Sequence, residues 1–166
     1  MVEALAPFSG KPIIGLEPSC LFSLRDELPA MGFDQLARSA LLFEEFLARN
    51  PGKLRFRETK KQVLLHGHCH QKAFDVMPDV EKVLRSVPGL EVQTVQTSCC
   101  GMAGSFGYEA EHYDVSMKMA EMSLLPAVRN SPAQIVADGT SCRHQVRDGS
   151  GREALHVARV LADALA

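Results

Sequence analysis

The residues with the clearest chemical potential lie in Ser98–Gly107, where two adjacent cysteines precede three glycines. Neighbouring cysteines form a disulfide only through a strained ring, so both sulfurs are expected to face another group. The glycines allow close backbone approach and positive φ angles. A helical stretch is predicted from about Tyr108 to Arg129, and a turn before a helix favours thiolate. The pair therefore predicts a metal or redox centre; the alternative is two buried structural cysteines beside a tight turn.

Composition excludes several classes of function. The chain has 166 residues, enough for one hydrophobic core, and its 46% hydrophobic and 23% charged residues are typical of a globular domain. A net charge of −2 argues against a nucleic-acid-binding surface, and no apolar run reaches the roughly 20 residues of a membrane span. The first residues lack a secretory pattern, and five cysteines disfavour a disulfide framework. A cytoplasmic location is predicted.

Strand, turn and helix patterns alternate along the sequence. Short apolar segments predict strands at Pro12–Leu16, 62–66, 90–95 and 134–137, and Ala154–Val157 is either a last strand or the start of a helix. A helical period runs over Phe33–Ala48. This alternation predicts parallel strands joined by crossover helices. The expected fold is α/β, with a mostly parallel sheet of about four strands flanked by helices.

Each cysteine follows a predicted strand and precedes a predicted helix. In a parallel sheet these turns all lie at the carboxyl edge of the strands, so the cysteines are expected to meet there. The sequence also echoes itself: Ile13–Cys20 and Ile135–Cys142 both read as apolar strand, turn, then Ser-Cys. The cysteines concerned are Cys20, Cys69, Cys99, Cys100 and Cys142.

Thiolates crowded at one edge repel each other and require a cation. Zinc takes four sulfur or nitrogen ligands, and iron–sulfur clusters take several thiolates. His66 ends a strand and is compatible with a role inside or outside the site, whereas His112 and His156 lie away from the turns. Three histidines flank the cysteines and are possible additional ligands, although each taken alone is better explained by a supporting or solvent-facing role: His68, His70 and His144.

Three motifs carry a resemblance to a known family. Residues 67–73, 100–108 and 138–143 resemble the cysteine-rich CCG domain of heterodisulfide reductases and of the iron–sulfur proteins in glycolate oxidase and lactate oxidation systems. They are similar in particular to the C-terminal end of FAD-linked D-2-hydroxyacid dehydrogenases, which join a flavin domain and a ferredoxin-like domain to this region. The resemblance extends from about Pro12 to Leu165.

The resemblance also implies an organisation and a ligand set. The family has two CCG units in tandem, so residues 1–32 are expected to be the tail of a preceding unit, 33–61 a helical connection and 62–166 a complete unit. These parts would pack as one compact domain, a fragment of a larger protein. Gln145 stands where the fullest form of the family has a last cysteine, which argues against a five-cysteine cluster. The implied metal ligands are Cys69, Cys99, Cys100 and Cys142, with Cys20 a further candidate.

The implied function is electron transfer through an iron–sulfur centre, or through zinc in its place, within a flavin-dependent oxidoreductase. Its substrate would be a D-2-hydroxyacid such as glycolate, lactate or 2-hydroxyglutarate. FAD is expected in another domain, because Gly101, Gly104 and Gly107 lack the spacing of a dinucleotide-binding fingerprint. Implied partners are the flavin and ferredoxin-like domains of the same protein and a downstream electron acceptor. Peripheral attachment of the full-length protein to the inner membrane is left open.

No catalytic residue is predicted, and the fragment alone is not expected to catalyse dehydrogenation. Two alternatives remain at this point. One is a zinc-stabilised structural or interaction domain. The other is a thiol-redox domain with Cys99 or Cys100 as the nucleophile.

Overall fold

Short helices and strands alternate over residues 2–8 and 10–166, which the computed structural model describes. The strands are β1 (Ile13–Gly15), β2 (Ala40–Leu42), β3 (Gln62–Leu65), β4 (Glu91–Thr94), β5 (Gln134–Val136) and β6 (Ala154–Leu155). The helices are α1 (Val2–Leu5), α2 (Pro18–Arg25), α3 (Glu27–Ala30), α4 (Asp34–Ser39), α5 (Phe43–Arg49), α6 (Cys69–Ala73), α7 (Met77–Arg85), α8 (Tyr113–Glu121), α9 (Leu124–Asn130), α10 (Thr140–Ser150) and α11 (Val157–Ala164), with 3-10 turns at Ala6–Phe8 and Phe106–Tyr108. Met1 and Ser9, within the predicted segment 1–32, lie outside the described residues.

The central sheet confirms the predicted α/β fold. Its strands are parallel and lie in the order β4-β3-β5-β6. Val63 of β3 is in register with Val92 of β4 on one side and with Gln134 of β5 on the other. Strands β1 and β2 form a separate parallel pair, in which Ile14 is opposite Leu41.

Hydrophobic clusters cover both faces of the central sheet, as predicted. Because successive strand residues point to opposite faces, Val63 and Leu65 pack with α7 and α11, whereas Leu64 packs with α9 and α10. This two-sided burial explains why β3 is an uninterrupted apolar run. A third cluster joins α2, α3 and α4 to β2, with Phe22 and Leu42 almost fully buried.

The single helix expected over Phe33–Ala48 is wrong, because β2 separates α4 from α5. Ala40 and Leu42 are buried where β2 pairs with β1, so tertiary pairing outweighs the helical period. A new helix then starts at once, because the Leu42 N–H donates to Glu45 Oε2 at 2.9 Å.

The helical stretch expected after the paired cysteines, with a break near Pro126, is divided close to that proline but begins later than the expected Tyr108. A loop and a 3-10 turn precede α8, and α8 ends before α9 begins at Leu124. Pro126 lies in the first turn of α9, where a backbone N–H has no hydrogen-bond partner within the helix, so its absence does not destabilise α9. If α8 and α9 were one continuous helix, the ring of Pro126 would clash with the carbonyl of Met122. None of the described helices is long and apolar enough to cross a bilayer.

The chain connections create a crevice at the carboxyl edge of the sheet. After β3 the chain turns to α6 and α7, and α7 covers one face, whereas after the neighbouring β5 it turns to α10 on the opposite face. Neighbouring strands whose connections diverge in this way leave an opening, which is the usual ligand position in open parallel sheets.

Two glycines in the loop after β4 give a matched test of this packing. Gly101 has φ +95°, and a Cβ there would lie 2.2 Å from the carbonyl oxygen of Ser116; Gly104 has φ +70° and no atom within 4 Å of the same position. Gly104→Ala is expected to lower the free energy of unfolding by about 1–2 kcal/mol through left-handed strain. Gly101→Ala is expected to cost about 1–3 kcal/mol more, because the clash is with backbone.

Urea denaturation of both variants and the wild type measures this difference. Equal destabilisation by the two substitutions would contradict the close contact between Gly101 and α8.

Candidate metal centre

A cavity of about 400 Å³ lies at the crevice, and the four predicted ligands line it. Cys69 is the first residue of α6, which follows β3. Cys99 and Cys100 lie in the loop after β4, and Cys142 is the third residue of α10, which follows β5. Three strand ends therefore bring together cysteines that are up to 73 residues apart in the sequence.

The four cysteines shift one another's pKa values. The thiols of Cys100 and Cys69 lower the pKa of Cys99, and the Gly101 N–H also donates to its sulfur at 3.3 Å. The Cys100 thiol likewise lowers the pKa of Cys142, with the two sulfurs 3.3 Å apart. Hydrogen bonding to Cys99 and Cys142 raises the pKa values of Cys69 and Cys100. The sulfurs thus share protons, and replacing those protons by a thiophilic cation would leave thiolate ligands around one cavity.

His66 supports this cluster from the end of β3. It is 1% exposed, and a ring nitrogen lies within 4.8 Å of the sulfurs of Cys100 and Cys142. Its Nδ1 is 3.0 Å from the Thr97 hydroxyl, which already accepts from Lys72 Nζ. The hydroxyl proton is therefore available to Nδ1, and we assign the imidazole proton to the other ring nitrogen, Nε2. Nε2 has no hydrogen-bond partner among the described residues. The sequence left the role of His66 open; its position at a strand end was the available signal.

Lys72 anchors the backbone just before the paired cysteines. Its Nζ donates to the carbonyl oxygens of Thr97 and Ser98 at 2.6 and 2.8 Å. Burial lowers its pKa, and the surrounding thiolates, Cys142 first among them, oppose that shift. Lys72 belongs to the motif at residues 67–73, and its spacing places it one helical turn from the histidine and cysteine that begin α6.

Gln145, which replaces the last cysteine of the fullest family pattern, has a defined structural position. It is 3% exposed, and its Nε2 donates to the carbonyl oxygens of Cys100 and Ser116 at 2.9 and 3.2 Å. The side chain thus ties the cysteine loop to α8.

His68 and His70 both line the cavity. His68 is buried, which lowers its pKa, and its Nδ1 accepts from the His70 N–H at 3.2 Å while Nε2 is 3.2 Å from Ser19 Oγ. Both nitrogens of His68 are therefore in use, as a helix cap and a tie to α2. His70 Nδ1 has no hydrogen-bond partner within the described part of the chain.

The other two possible ligands lie outside the cavity lining. His144 pairs through Nδ1 with the hydroxyl of Tyr108. Cys20 is exposed, although its neighbours Ser19 and Ser23 line the cavity. The echo between the two Ser-Cys segments is nevertheless structural, since Cys20 and Cys142 are each the third residue of a helix that follows a strand.

Gln71 is a further residue that the sequence analysis did not single out. Its Oε1 accepts from the His68 N–H at 2.8 Å, and its Nε2 donates to Asp138 Oδ2 at 2.7 Å. The detectable signal was the spacing of a capping box, a cap residue followed three positions later by glutamine. Gln71 connects the wall of the cavity to a buried carboxylate after β5.

Several known proteins have sequences similar to this chain. The chain is 29% identical over 163 residues to a subunit of the anaerobic glycerol-3-phosphate dehydrogenase of Escherichia coli K12, covering 95% of this chain and 41% of that protein. It is 29% identical to the D-2-hydroxyglutarate dehydrogenases of Escherichia coli K12, over 156 residues, and of Pseudomonas putida KT2440, over 171 residues. Those matches cover 92% and 96% of this chain but only 15% and 16% of the relatives, so the chain corresponds to a part of them.

The family match coincides with the four cysteines of the cavity. Residues 63–147, just over half of the 166, match the cysteine-rich domain named CCG. This range begins in β3 and ends in α10, and it contains every cysteine that lines the cavity. The chain belongs to the cysteine-rich CCG domain family.

Proposed function

We propose that this chain relays electrons through a metal–thiolate centre held by Cys69, Cys99, Cys100 and Cys142, as part of a larger flavin-linked dehydrogenase. The observation that carries the proposal is the convergence of these four sulfurs on one cavity at the carboxyl edge of the sheet. The sulfurs of Cys100 and Cys142 are 3.3 Å apart, and thiolates this close repel each other unless a cation is bound, so the cavity suits a metal better than it suits free thiolates.

The donor set fits a thiophilic metal. Soft thiolates select zinc and iron–sulfur clusters over hard oxygen-seeking cations. When bound, an iron–sulfur cluster supplies a store for single electrons. The residues around it have separate tasks. The Gly101 N–H donates to the Cys99 sulfur, and a ring nitrogen of His66 lies within 4.8 Å of two other sulfurs. Lys72 and Gln145 hold the loop in place.

The relatives guide the choice of reaction. Their names are those of dehydrogenases or of a dehydrogenase subunit. The D-2-hydroxyglutarate dehydrogenases support oxidation of a D-2-hydroxyacid such as glycolate, lactate or 2-hydroxyglutarate. Glycerol 3-phosphate is the competing substrate, suggested by the other relative. Hydride abstraction belongs to FAD in a separate domain. The partners of this chain are then the flavin and ferredoxin-like domains of its own protein and a downstream electron acceptor.

The proposal includes the tandem organisation of the family. Residues 1–32 are interpreted as the tail of a preceding unit, 33–61 as a connection and 62–166 as a complete unit. Contacts at the shared edge support this view: Glu17, after β1, accepts from the N–H of Thr140 at 2.8 Å, and Ser19 faces His68.

Metal analysis of single cysteine variants tests the ligand assignment. The chain purified without oxygen is expected to contain iron and acid-labile sulfide. Serine at position 69, 99, 100 or 142 is expected to reduce both by at least about tenfold, because each substitution removes a thiolate. Cys20→Ser is the matched control and is expected to retain both in full, since Cys20 is exposed and outside the cavity lining.

Other outcomes identify the alternatives. Stoichiometric zinc without sulfide would make the chain a zinc-stabilised structural domain. Absence of both metals from the oxygen-free chain, together with rapid alkylation of Cys99, would support a thiol-redox domain. Loss of iron from Cys20→Ser would make Cys20 a fifth ligand.

The structural role of Gln145 leads to a second test. Gln145→Met keeps the buried volume but removes the donor to Cys100 and Ser116, so it is expected to lower the free energy of unfolding by about 1–3 kcal/mol. The iron content should stay close to that of the wild type, in contrast to Cys142→Ser. Thermal unfolding and iron analysis of the same samples measure the two effects.

Equal loss of iron from Gln145→Met and Cys142→Ser would contradict this assignment. It would mean that Gln145 binds or directly orients the metal.

A further inference from the structure

A second group of titratable side chains is buried apart from the sulfurs. Glu44 lies at the start of α5, Asp138 follows β5, and His156 precedes α11. Glu44 and Asp138 are 0% and 1% exposed, and oxygen atoms of the two and a ring nitrogen of His156 all lie within 4.8 Å of one another. The electron-transfer proposal makes no use of this group.

The two carboxyl groups differ in their hydrogen bonds. Asp138 accepts from Gln71 Nε2 at 2.7 Å and from the Val157 N–H at 3.0 Å. Neither oxygen of Glu44 has a hydrogen-bond partner among the described residues. A buried carboxylate without a donor is strongly unfavourable, so the state of Glu44 requires an explanation.

His156 does not supply the missing proton. Its Nδ1 accepts from the Ala158 N–H at 2.9 Å and caps α11, while its Nε2 is 2.8 Å from the Leu16 carbonyl oxygen, to which it donates. Nδ1 also lies 3.3 Å from Asp138 Oδ1, but its lone pair is engaged by the Ala158 N–H, so both ring nitrogens are already in use. The ring has neither a spare proton for a carboxylate nor a spare lone pair for a metal.

Cationic side chains do not neutralise the pair either. Arg25 and Arg49 both bind Glu45, the neighbour of Glu44. Arg143 donates to the backbone carbonyl of Asp138 rather than to its carboxylate. Two ionised carboxyl groups this close and this buried would repel each other, and a single proton removes the repulsion.

We propose that Glu44 and Asp138 form a buried acid–carboxylate pair that holds one proton, with Glu44 as the neutral donor, and that loss of this proton as the pH rises weakens the packing of residues 40–49 against the carboxyl edge of the sheet. The pKa of Glu44 shifts in the direction that this geometry requires. Burial, followed by the charge of Asp138, raises it well above its ordinary value.

Among the charged groups around Glu44, Asp138 has the largest effect on the pKa of Glu44. The titratable and charged groups brought towards it are Glu45 on its own helix, Asp138 after β5 and His156 before α11. From α7, Lys82 reaches α5 only at the Ala48 carbonyl, four residues further along. Strands β1 and β2 contain no titratable side chains.

The pair also has a route to the cavity. Asp138 holds Gln71, and Gln71 in turn accepts from the backbone N–H of His68 in the cavity wall. Ionisation of Glu44 therefore disturbs a hydrogen-bonded series that ends beside the cysteines. The inference concerns the chain alone and does not depend on a bound metal.

The sign of the pH effect follows from linkage. Glu44 has a raised pKa in the folded chain and an ordinary one of about 4.3 in the unfolded chain. Below about pH 4 both states hold the proton and stability is unaffected. Above it, unfolding releases a proton, so the unfolding equilibrium constant rises about tenfold per pH unit until the folded pKa is reached.

Urea unfolding of the wild type and Glu44→Gln between pH 5 and pH 8 tests the proposal. Glutamine has the shape of the neutral acid and donates an N–H to Asp138 without titrating. The ratio of the wild-type to the variant unfolding constant is expected to rise with pH, by about tenfold per unit until the pKa of Glu44 in the folded chain is reached, while titrations common to both proteins cancel. Glu121→Gln, at an exposed ion pair with Arg129, is the control. The ratio of the wild-type unfolding constant to that of Glu121→Gln should stay constant over this pH range.

The proposal would be overturned if the ratio of the wild-type unfolding constant to that of Glu44→Gln did not change with pH. Stabilisation by added Mn²⁺ of the wild type but not of Glu44→Gln would also overturn it, because the group would then hold a cation. Should Glu44→Gln fail to fold, ¹³C NMR of the glutamate-labelled wild type decides: one carboxyl still protonated at pH 7 supports the pair, and ionisation of all of them below pH 6 excludes it.

Discussion

The site depends on the close approach of sulfurs that a parallel sheet brings to one edge. Connections after β3, β4 and β5 all emerge at the carboxyl ends of the strands, so Cys69, Cys100 and Cys142 cannot avoid one another. The Sγ atoms of Cys100 and Cys142 are 3.3 Å apart, so two thiolates there would repel each other without a shared proton or a bound cation. The neighbouring polar groups are arranged around this requirement.

Hydrogen bonds stabilise the cysteine loop from three directions. Lys72 holds the backbone before the cysteine pair, Gln145 holds the Cys100 carbonyl, and Gly101 permits close contact with α8. A ring nitrogen of buried His66 lies within 4.8 Å of the sulfurs of Cys100 and Cys142. A loop held at this many points keeps its sulfurs in place when the charge of the site changes, a property suited to electron transfer because little reorganisation is needed.

The first fifty residues are integrated with this edge. Glu17 caps α10, Ser19 contacts His68, and the Leu16 carbonyl accepts from His156. Glu44 places a further carboxyl against Asp138. The cavity is therefore built from both halves of the chain, which agrees with relatives in which the corresponding region is one part of a longer polypeptide.

The sequence by itself determined the α/β class, the parallel strands and the meeting of four cysteines, because apolar runs followed by turns are local patterns and a parallel sheet has only one carboxyl edge. Tertiary structure decided the rest. Strand β2 replaced a helical period because Ala40 and Leu42 pair with β1, a contact between distant residues. The positions of His66, Gln145 and Glu44 likewise depend on which helices pack together, and Cys20 faces outward although its local pattern matches that of Cys142. A local pattern specifies which turn a side chain occupies, but only packing decides which way that side chain points.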